Sequence, residues 1–148
     1  TLINRFFSKR GKVIKEFYKS SENLFDLLQF PDIWALGYFK WELEFLETLG
    51  FGLDLEKCAV TGSTEDLKFI SPKSGRAVSK AAAGDWSSKL LPFPIAASGQ
   101  VNSLEDILDG LKVSQFFLEK KVLLAFGMEH LPSARSRFIS SLERKIKN

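Results

Sequence analysis

The chain has 148 residues, of which 45% are hydrophobic and 26% charged, values typical of one soluble globular domain. No apolar run approaches the length of a membrane span, and a single cysteine excludes an internal disulfide, which fits a reducing cytoplasm. The net charge of +3 is uneven: residues 1–19 carry six Lys/Arg against one Glu and residues 132–148 carry five against one. The 112 residues between them carry ten Lys/Arg against 16 Asp/Glu. Basic ends around an acidic middle favour one cationic surface where the ends meet, or simply two solvated helix faces.

Apolar spacing predicts helices over the first fifty residues. Residues 2–19 and 20–30 each repeat apolar side chains at helical spacing. The clearest pattern starts at Pro31, which suits a first helical turn, and Gly50 is a natural stop. Its predicted buried stripe consists of Ile33, Trp34, Leu36, Phe39, Leu43, Leu46 and Leu49.

The helical pattern is lost from residue 53 to about residue 100, where Gly, Pro, Ser and Thr cluster. Within this segment LKFISPKSGRAVS, residues 67–79, predicts two short strands around a turn at residues 72–75. A long non-helical segment in a helical domain indicates a small structure of its own. Helical spacing returns after Ser103, and Pro132 opens a last helix. The predicted fold is mainly α: one helical bundle over residues 1–148 with a small irregular or β insertion at about 53–100.

The sequence offers little for catalysis or metal binding. It has no phosphate loop, no nucleophile elbow and no carboxylate pair arranged for hydrolysis. Cys58 and His130 could in principle form a thiol catalyst, but no Cys/His family signature is present. Structural zinc needs four ligands, and Thr61 stands where a second cysteine of a Cys-x-x-Cys pair would be. We therefore predict no enzymatic activity, no catalytic residue, no cofactor and no bound metal.

Three stretches together resemble the RecO family of bacterial DNA repair proteins. KWELEFLETLGFGLDLEKCAVTG, residues 40–62, is similar to a family stretch that runs through Leu-Gly-Tyr/Phe-Gly to Cys-Ala-Val-Cys-Gly. FISPKSGRAVS, residues 69–79, resembles Phe-Ser-Pro-x-x-Gly-Gly-x-x-Cys, and LPSARSRF, residues 131–138, resembles Leu-Pro-x-x-Arg. The resemblance implies the family's C-terminal helical domain with its zinc-finger-like insertion. The N-terminal OB-fold domain of the family has no counterpart in this sequence.

The resemblance implies a recombination mediator of the RecF pathway that acts in homologous recombination and DNA damage repair. The implied partners are RecR, the acidic C-terminal tail of single-strand-binding protein, and single- and double-stranded DNA, the DNA mostly through the OB domain. The implied outcomes are RecA loading and strand annealing, in the cytoplasm at the nucleoid. The alternative is a helical protein-interaction module without nucleic-acid binding.

An acidic tail that ends in apolar residues and a free carboxylate needs an apolar pocket with a cationic rim. The resemblance implies that the helix carrying the first stretch helps to form this pocket. We therefore expect Lys40 to bind the carboxylate or the acidic residues, with Phe39 and Leu43 as pocket wall. The open alternative is that Phe39 and Leu43 are plain core and Lys40 is a solvated lysine.

The basic ends of the chain supply the candidate DNA contacts, which we expect to stay in water. Phosphate binding by such residues is independent of base sequence and weakens steeply with salt. The candidates are Lys9, Arg10, Lys12 and Lys15 at one end and Arg135, Arg137, Arg144 and Lys145 at the other.

The resemblance also implies four zinc-ligand positions in the insertion, and only the first keeps its sulfur. The four positions hold Cys58, Thr61, Ser79 and Ala82. The insertion is therefore predicted to be a metal site that has lost its ligands and is held by packing and turn hydrogen bonds. The expected small core consists of Ala59, Val60, Phe69, Ile70 and Val78.

Overall fold

The computed structural model describes residues 11, 12, 15 and 31–148, with side chains in the first long helix from Trp34 onward. Residues 11, 12 and 15 are helical, and the predicted helix at 20–30 lies outside the described residues. The elements are helix α1 (Pro31–Thr48), strands β1 (Leu67–Ile70) and β2 (Ala77–Ser79), helix α2 (Lys80–Ala83), a 3-10 segment (Gly84–Lys89), strand β3 (Leu91–Pro92), a 3-10 segment (Ile95–Ser98), helix α3 (Leu104–Phe117), a π-helical segment (Leu118–Leu123), helix α4 (Leu124–Phe126) and helix α5 (Ser133–Lys147).

Helix α1 begins at Pro31 as predicted and ends at Thr48, where Gly50 adopts a φ of 90° that lets the chain turn away. The predicted burial of Trp34 is wrong, because 55% of this residue is exposed. The buried line consists of Ala35, Tyr38, Phe39, Glu42, Phe45, Leu46 and Leu49. These positions follow the i, i+3, i+4 and i+7 spacing of one helix face, and they include a glutamate that an apolar pattern leaves out.

Helix α1 packs against α3 and α5, and two groups of buried side chains form the core between them. Toward its end, α1 places Phe45, Leu46 and Leu49 in one cluster with Phe117, the last residue of α3, and Leu118, the first residue of the π-helical segment. Toward its start, the buried residues of α1 share a cluster with others from α3, α5 and the second 3-10 segment. They are Ala35, Tyr38 and Phe39 with Ala96, Ile107, Leu111, Phe138 and Leu142.

The approach of α1 to α3 depends on a glycine. A Cβ atom added at Gly110 would lie 2.8 Å from Cζ and 2.9 Å from Cε2 of the Phe39 ring. Real Cβ atoms do not come so close to carbon, so the absence of a side chain at Gly110 sets the spacing of the two helices. Phe39 is accordingly 0% exposed.

Helix α3 begins where the sequence predicted, because the Asp106 carboxylate accepts hydrogen bonds from the backbone N–H groups of Asn102 at 2.8 Å and Ser103 at 3.2 Å. The π-helical segment and α4 prolong it to Phe126, and Gly127 ends it with a φ of 65°. None of the helices in the described part of the chain combines the length and the apolar character that crossing a membrane requires.

The insertion contains a three-stranded antiparallel sheet in the order β2-β1-β3. The predicted hairpin of residues 67–79 is confirmed, with Ile70 paired to Ala77. Its small core contains Cys58, Val78 and Ala83, with Phe69 packed against them. Three expected members were wrong. Ala59 is only half-buried and lies outside this core, and Val60 is 71% exposed. Ile70 belongs to the core shared with α1, which anchors the insertion to the helices. The fold is thus mainly α with a small β insertion, as predicted.

Candidate functional site

The last helix carries a set of exposed cations. Arg137, Arg144, Lys145 and Lys147 all lie on exposed positions of α5. Arg137 Nη1 donates to Ser133 Oγ at 3.3 Å, and Arg144 Nη2 donates to Ser141 Oγ at 3.2 Å. Four cations on exposed positions of one helix raise the local positive potential, so this part of α5 can attract phosphate groups.

At the other end of the chain, Lys12 and Lys15 are exposed, as predicted. Lys9 and Arg10 lie outside the described residues. The described residues therefore offer two exposed lysines near the N-terminus and four exposed cations on α5 as candidates for phosphate contacts.

Arg135 is a correction to the predicted set, since it does not stay in water: only 2% of the residue is exposed. Its guanidinium binds the buried carboxylate of Glu42 through two hydrogen bonds. Arg135 Nε lies 2.7 Å from Glu42 Oε2, and Nη2 lies 2.9 Å from Oε1. The remaining donors reach Gln115 Oε1 and the Leu111 carbonyl, both at 2.9 Å. With 2% of the residue exposed and four hydrogen bonds to protein atoms, this guanidinium is not available to solvent phosphate.

The Glu42 carboxylate is equally engaged and is 0% exposed. Tyr38 Oη donates to its Oε2 at 2.5 Å, and Ser114 Oγ donates to its Oε1 at 2.7 Å. Residues of α1, α3 and α5 therefore meet at one charged centre, which we call the Glu42–Arg135 network. It consists of Tyr38, Glu42, Ser114, Gln115 and Arg135.

The pKa values of this network follow from its burial. Burial alone would lower the pKa of Arg135, but the adjacent Glu42 carboxylate outweighs it and holds the pKa above its ordinary value. Burial, followed by the charge of Glu42, raises the pKa of Tyr38 well above 10.0. Both groups therefore keep their protons throughout the physiological range. The network is a buried ion pair with hydrogen-bonded neighbours that connects α1, α3 and α5.

The three candidate residues for binding an acidic tail lie at different depths on α1. Lys40 is exposed, Leu43 is half-buried and Phe39 is fully buried beneath the α3 helix. Leu43 also packs against the same core cluster that contains Phe39. An exposed lysine beside a partly accessible leucine can provide a cation and an apolar contact, while Phe39 supports them from below.

The four zinc-ligand positions implied by the resemblance come together in the insertion. The backbone N–H of Ser79 donates to Cys58 Sγ at 3.3 Å, and Thr61 also hydrogen-bonds to Cys58. The backbone N–H of Ala82 donates to Ser79 Oγ at 3.2 Å, and Ala82 packs against the Cys58 cluster. Hydrogen bonds among these residues thus stand where metal–sulfur bonds would otherwise hold a zinc site together.

The thiol of Cys58 is polarised by this arrangement. Burial raises its pKa, but hydrogen bonds from Thr61 and Ser79 act more strongly and lower the pKa from 9.0 to about 6. The residue is nevertheless 1% exposed. A thiolate enclosed in this way is stabilised without being accessible to a substrate in solution.

The thiol-catalyst hypothesis placed Cys58 with His130, and the structure locates them in different parts of the fold. Cys58 lies in the insertion, whereas His130 is exposed between α4 and α5, with Nδ1 2.9 Å from the Leu131 carbonyl. Within the described part of the chain, no three His, Cys, Asp or Glu side chains converge in a way that could hold a metal ion.

Sequence reasoning missed a pair of lysines that meet at the junction of the insertion with the helices. Lys121 Nζ donates to the Lys73 carbonyl at 3.3 Å, and both residues line a cleft of about 170 Å³ with Gly50 and Gly75. The two lysines are 48 positions apart, so no local pattern connects them. Gly50 follows α1 and Gly75 lies in the hairpin turn, and only the tertiary fold brings both to the same cleft.

Comparisons with known proteins identify the family of this chain. The family model described as Recombination protein O C terminal matches residues 2–127. The DNA repair protein RecO of Ruegeria sp. (strain TM1040) is 50% identical over 131 residues, covering 87% of this chain and 54% of that protein. The RecO of Jannaschia sp. (strain CCS1) is 50% identical over 113 residues, covering 76% of this chain and 46% of that protein. No solved structure shows a significant match.

A third relative is the DNA repair protein RecO of Cereibacter sphaeroides (strain ATCC 17029 / ATH 2.4.9), which is 45% identical over 128 residues. That match covers 86% of this chain and 53% of the relative, so the chain spans about half the length of the curated relatives it matches. Two of the stretches that resemble the family supply the buried ion pair: residues 40–62 contain Glu42, and residues 131–138 contain Arg135. The chain belongs to the family of Recombination protein O C-terminal domains.

Proposed function

We propose that this chain is the C-terminal part of a recombination mediator that binds DNA, RecR and the acidic tail of single-strand-binding protein. The observation that carries the proposal is the 50% identity to a DNA repair protein RecO over 87% of the chain. In this proposal the chain performs no chemistry of its own. It promotes RecA loading and strand annealing by holding its partners together, in the cytoplasm at the nucleoid.

For DNA, the proposed contacts are the exposed cations of α5 together with Lys12 and Lys15. The α5 cations all lie on exposed positions within about three turns of one helix. Lys9 and Arg10 are proposed as further DNA contacts on the basis of the sequence alone. Lys73 and Lys121 join it because both line a cleft at the surface. Such contacts position phosphates and do not read base sequence.

The DNA proposal is tested by the fluorescence anisotropy of labelled single- and double-stranded oligonucleotides over a range of salt. We expect the triple variant Arg137→Gln, Arg144→Gln, Lys145→Gln to bind more weakly. Its plot of log affinity against log salt should be shallower by roughly 2, since each phosphate contact contributes about 0.7 to 0.9.

The matched control removes three exposed lysines of the insertion region: Lys57→Gln, Lys68→Gln and Lys80→Gln. It changes the net charge by the same amount, so a loss that depends only on net charge would be equal in both variants. Equal losses would contradict the α5 assignment. Absence of DNA binding even at low salt would instead support a protein-interaction module without a nucleic-acid role.

For the acidic tail, we propose that Lys40 binds carboxylates while Leu43 contributes an apolar contact above Phe39. The measurement is a titration with a peptide of the tail of single-strand-binding protein. Lys40→Glu should weaken binding about tenfold or more, because it replaces attraction by repulsion at the same point. Lys112→Glu, a charge reversal at an exposed position of α3, is the control. Unchanged affinity in Lys40→Glu would remove Lys40 from the proposal.

The proposed contact with RecR and the loading of RecA rest on family membership. An OB-fold domain, which the resemblance implies for the whole protein, is expected to add DNA contacts. Co-purification with RecR tests the first point. Assembly of RecA on single strands coated with single-strand-binding protein, with and without this chain, tests the second. If the chain neither retains RecR nor changes RecA assembly, these functions require parts of the protein outside this sequence.

A further inference from the structure

A groove lies between helix α5 and the segment formed by the end of α3, the π-helical residues Leu118–Leu123 and α4. None of the contacts proposed for DNA or for the acidic tail uses it. It encloses about 560 Å³, within the range of sites that bury several side chains of a ligand. Leu124 on its wall is 75% exposed, so its apolar side chain is accessible to a partner. The apolar lining consists of Leu123, Leu124, Met128, Leu131 and Ile139.

The rim of this groove is acidic. Glu119, Glu129 and Glu143 line it, and all three are exposed. The arginine that lines it, Arg135, already has its charge matched by Glu42. His130 is the other basic residue of the lining. Three exposed carboxylates therefore line the groove, in contrast to the exposed cations of α5 proposed for DNA.

The wall of the groove has an irregular backbone that suits a binding surface. Residues Leu118–Leu123 form a π-helical segment, a conformation that is rare and frequently found at functional sites. Met128 adds a flexible, polarisable side chain that can adapt to different apolar partners. Two helical walls with an apolar floor are the geometry in which an amphipathic helix docks.

We propose that this groove binds a basic amphipathic helical segment of a partner protein. Its leucine-like side chains would enter the apolar floor, and its Lys or Arg side chains would meet Glu119, Glu129 and Glu143. The carboxylates disfavour nucleic acid and acidic peptides by like-charge repulsion. The groove is therefore distinct from the surfaces proposed for DNA and for the acidic tail, and it does not depend on either of them.

The test uses the full chain and a fluorescent synthetic peptide of leucine and lysine, with leucines at helical spacing over about four turns, roughly 14 residues. We expect saturable binding that weakens as salt rises. The same peptide with glutamate in place of lysine should not bind.

The triple variant Glu119→Gln, Glu129→Gln, Glu143→Gln should lose about tenfold in affinity, the size expected for three partly exposed charge pairs. Leu124→Asp should lose at least as much, because it places a charge on the apolar wall that the leucine side chains of the peptide would contact. The matched control, Glu44→Gln, Glu56→Gln, Glu65→Gln, removes three exposed glutamates elsewhere and should bind like the parent chain. Thermal unfolding by circular dichroism confirms that each variant is folded.

Three results would overturn the proposal: no binding of the lysine peptide, equal losses in the groove and control variants, or equal binding of the glutamate peptide. A fourth is a concentration-dependent dimer in sedimentation that Leu124→Asp abolishes, because the groove would then belong to a second copy of this chain.

Discussion

The helical part and the insertion each hold distant segments of the chain together, but through different interactions. In the helical part a fully buried ion pair joins Glu42 of α1 to Arg135 of α5 across 93 positions. In the insertion the backbone of Ser79 donates to the sulfur of Cys58 across 21 positions. The first interaction joins two full charges with every polar atom satisfied, whereas the second is a set of weak hydrogen bonds around one thiol.

This difference between the buried ion pair and the hydrogen-bonded thiol indicates where the stability of the fold depends on a single residue. Removing one member of a buried ion pair leaves the other charge unpaired in a medium that cannot solvate it. Removing a hydrogen-bonded thiol leaves only one or two weaker donors unsatisfied. The helical part should therefore tolerate loss of its polar centre much less well than the insertion, and the following predictions test that contrast from the largest effect to the smallest.

The largest effect is expected for Arg135→Met, which keeps the apolar stem but leaves the Glu42 carboxylate buried and unpaired. We expect a loss of about 3–5 kcal/mol in the free energy of unfolding, measured by urea denaturation. Arg137→Met, on the exposed face of the same helix, should change it by less than about 0.5 kcal/mol.

The double variant Glu42→Leu, Arg135→Met sharpens this prediction. It removes both charges together, so it should be clearly more stable than Arg135→Met alone. A double variant as unstable as the sum of the single ones would show that the two residues act independently, contrary to the geometry. Because the pKa of Arg135 is raised, this contribution should not be lost as pH rises from neutral into the alkaline range.

The second effect concerns the contact between Gly110 and Phe39. Gly110→Ala should destabilise the chain by about 1–3 kcal/mol, because its Cβ would overlap the Phe39 ring and force the helices apart. Gly37 on α1 provides the matched control, since a Cβ there meets nothing within 4 Å. Gly37→Ala should stabilise the chain by about 0.5–1 kcal/mol through helix propensity. Equal signs for the two variants would contradict the packing described here.

A smaller effect is expected for Cys58→Ala, about 1 kcal/mol near neutral pH, since sulfur is a weak acceptor and only a few donors lose their partner. The folded pKa of Cys58 is about 6, against an ordinary value of 9.0. The unfolded chain therefore binds more protons between these values, and stability due to Cys58 should rise with pH from about 6 to 9.

Two measurements check the thiol. The ultraviolet absorbance of the thiolate should titrate near pH 6 in the folded chain and near 9 in urea. The stability difference between the parent chain and Cys58→Ala should shrink as pH falls toward 6. A folded thiol that titrates near 9 would contradict the hydrogen bonding assigned to Thr61 and Ser79.

The smallest effect, no measurable change, is expected for chelators. Three of the four zinc-ligand positions lack sulfur, and hydrogen bonds connect the residues that occupy them. Addition of a chelator should leave the melting temperature unchanged, and elemental analysis should find no stoichiometric zinc. A fall in melting temperature with chelator would show that the insertion depends on a metal after all.

The local features of this fold could be read from the sequence because they depend on neighbouring residues. Pro31 and Gly50 frame α1, Asp106 caps α3, and the turn between β1 and β2 follows from residues 72–75. The family could also be recognised from short stretches. Spacing and capping act over a few positions, so a linear pattern contains enough information to predict them.

Only the tertiary structure decided which charges are available for binding. Arg135 and Arg137 lie two positions apart with the same charge, yet one is buried against Glu42 and the other is exposed. Lys73 and Lys121 meet across 48 positions. On α1, Trp34 is 55% exposed whereas Glu42 is fully buried. Burial depends on contacts between elements that are far apart in sequence. An apolar pattern therefore assigns every charged residue to the surface, because it contains no information about a distant ion-pair partner.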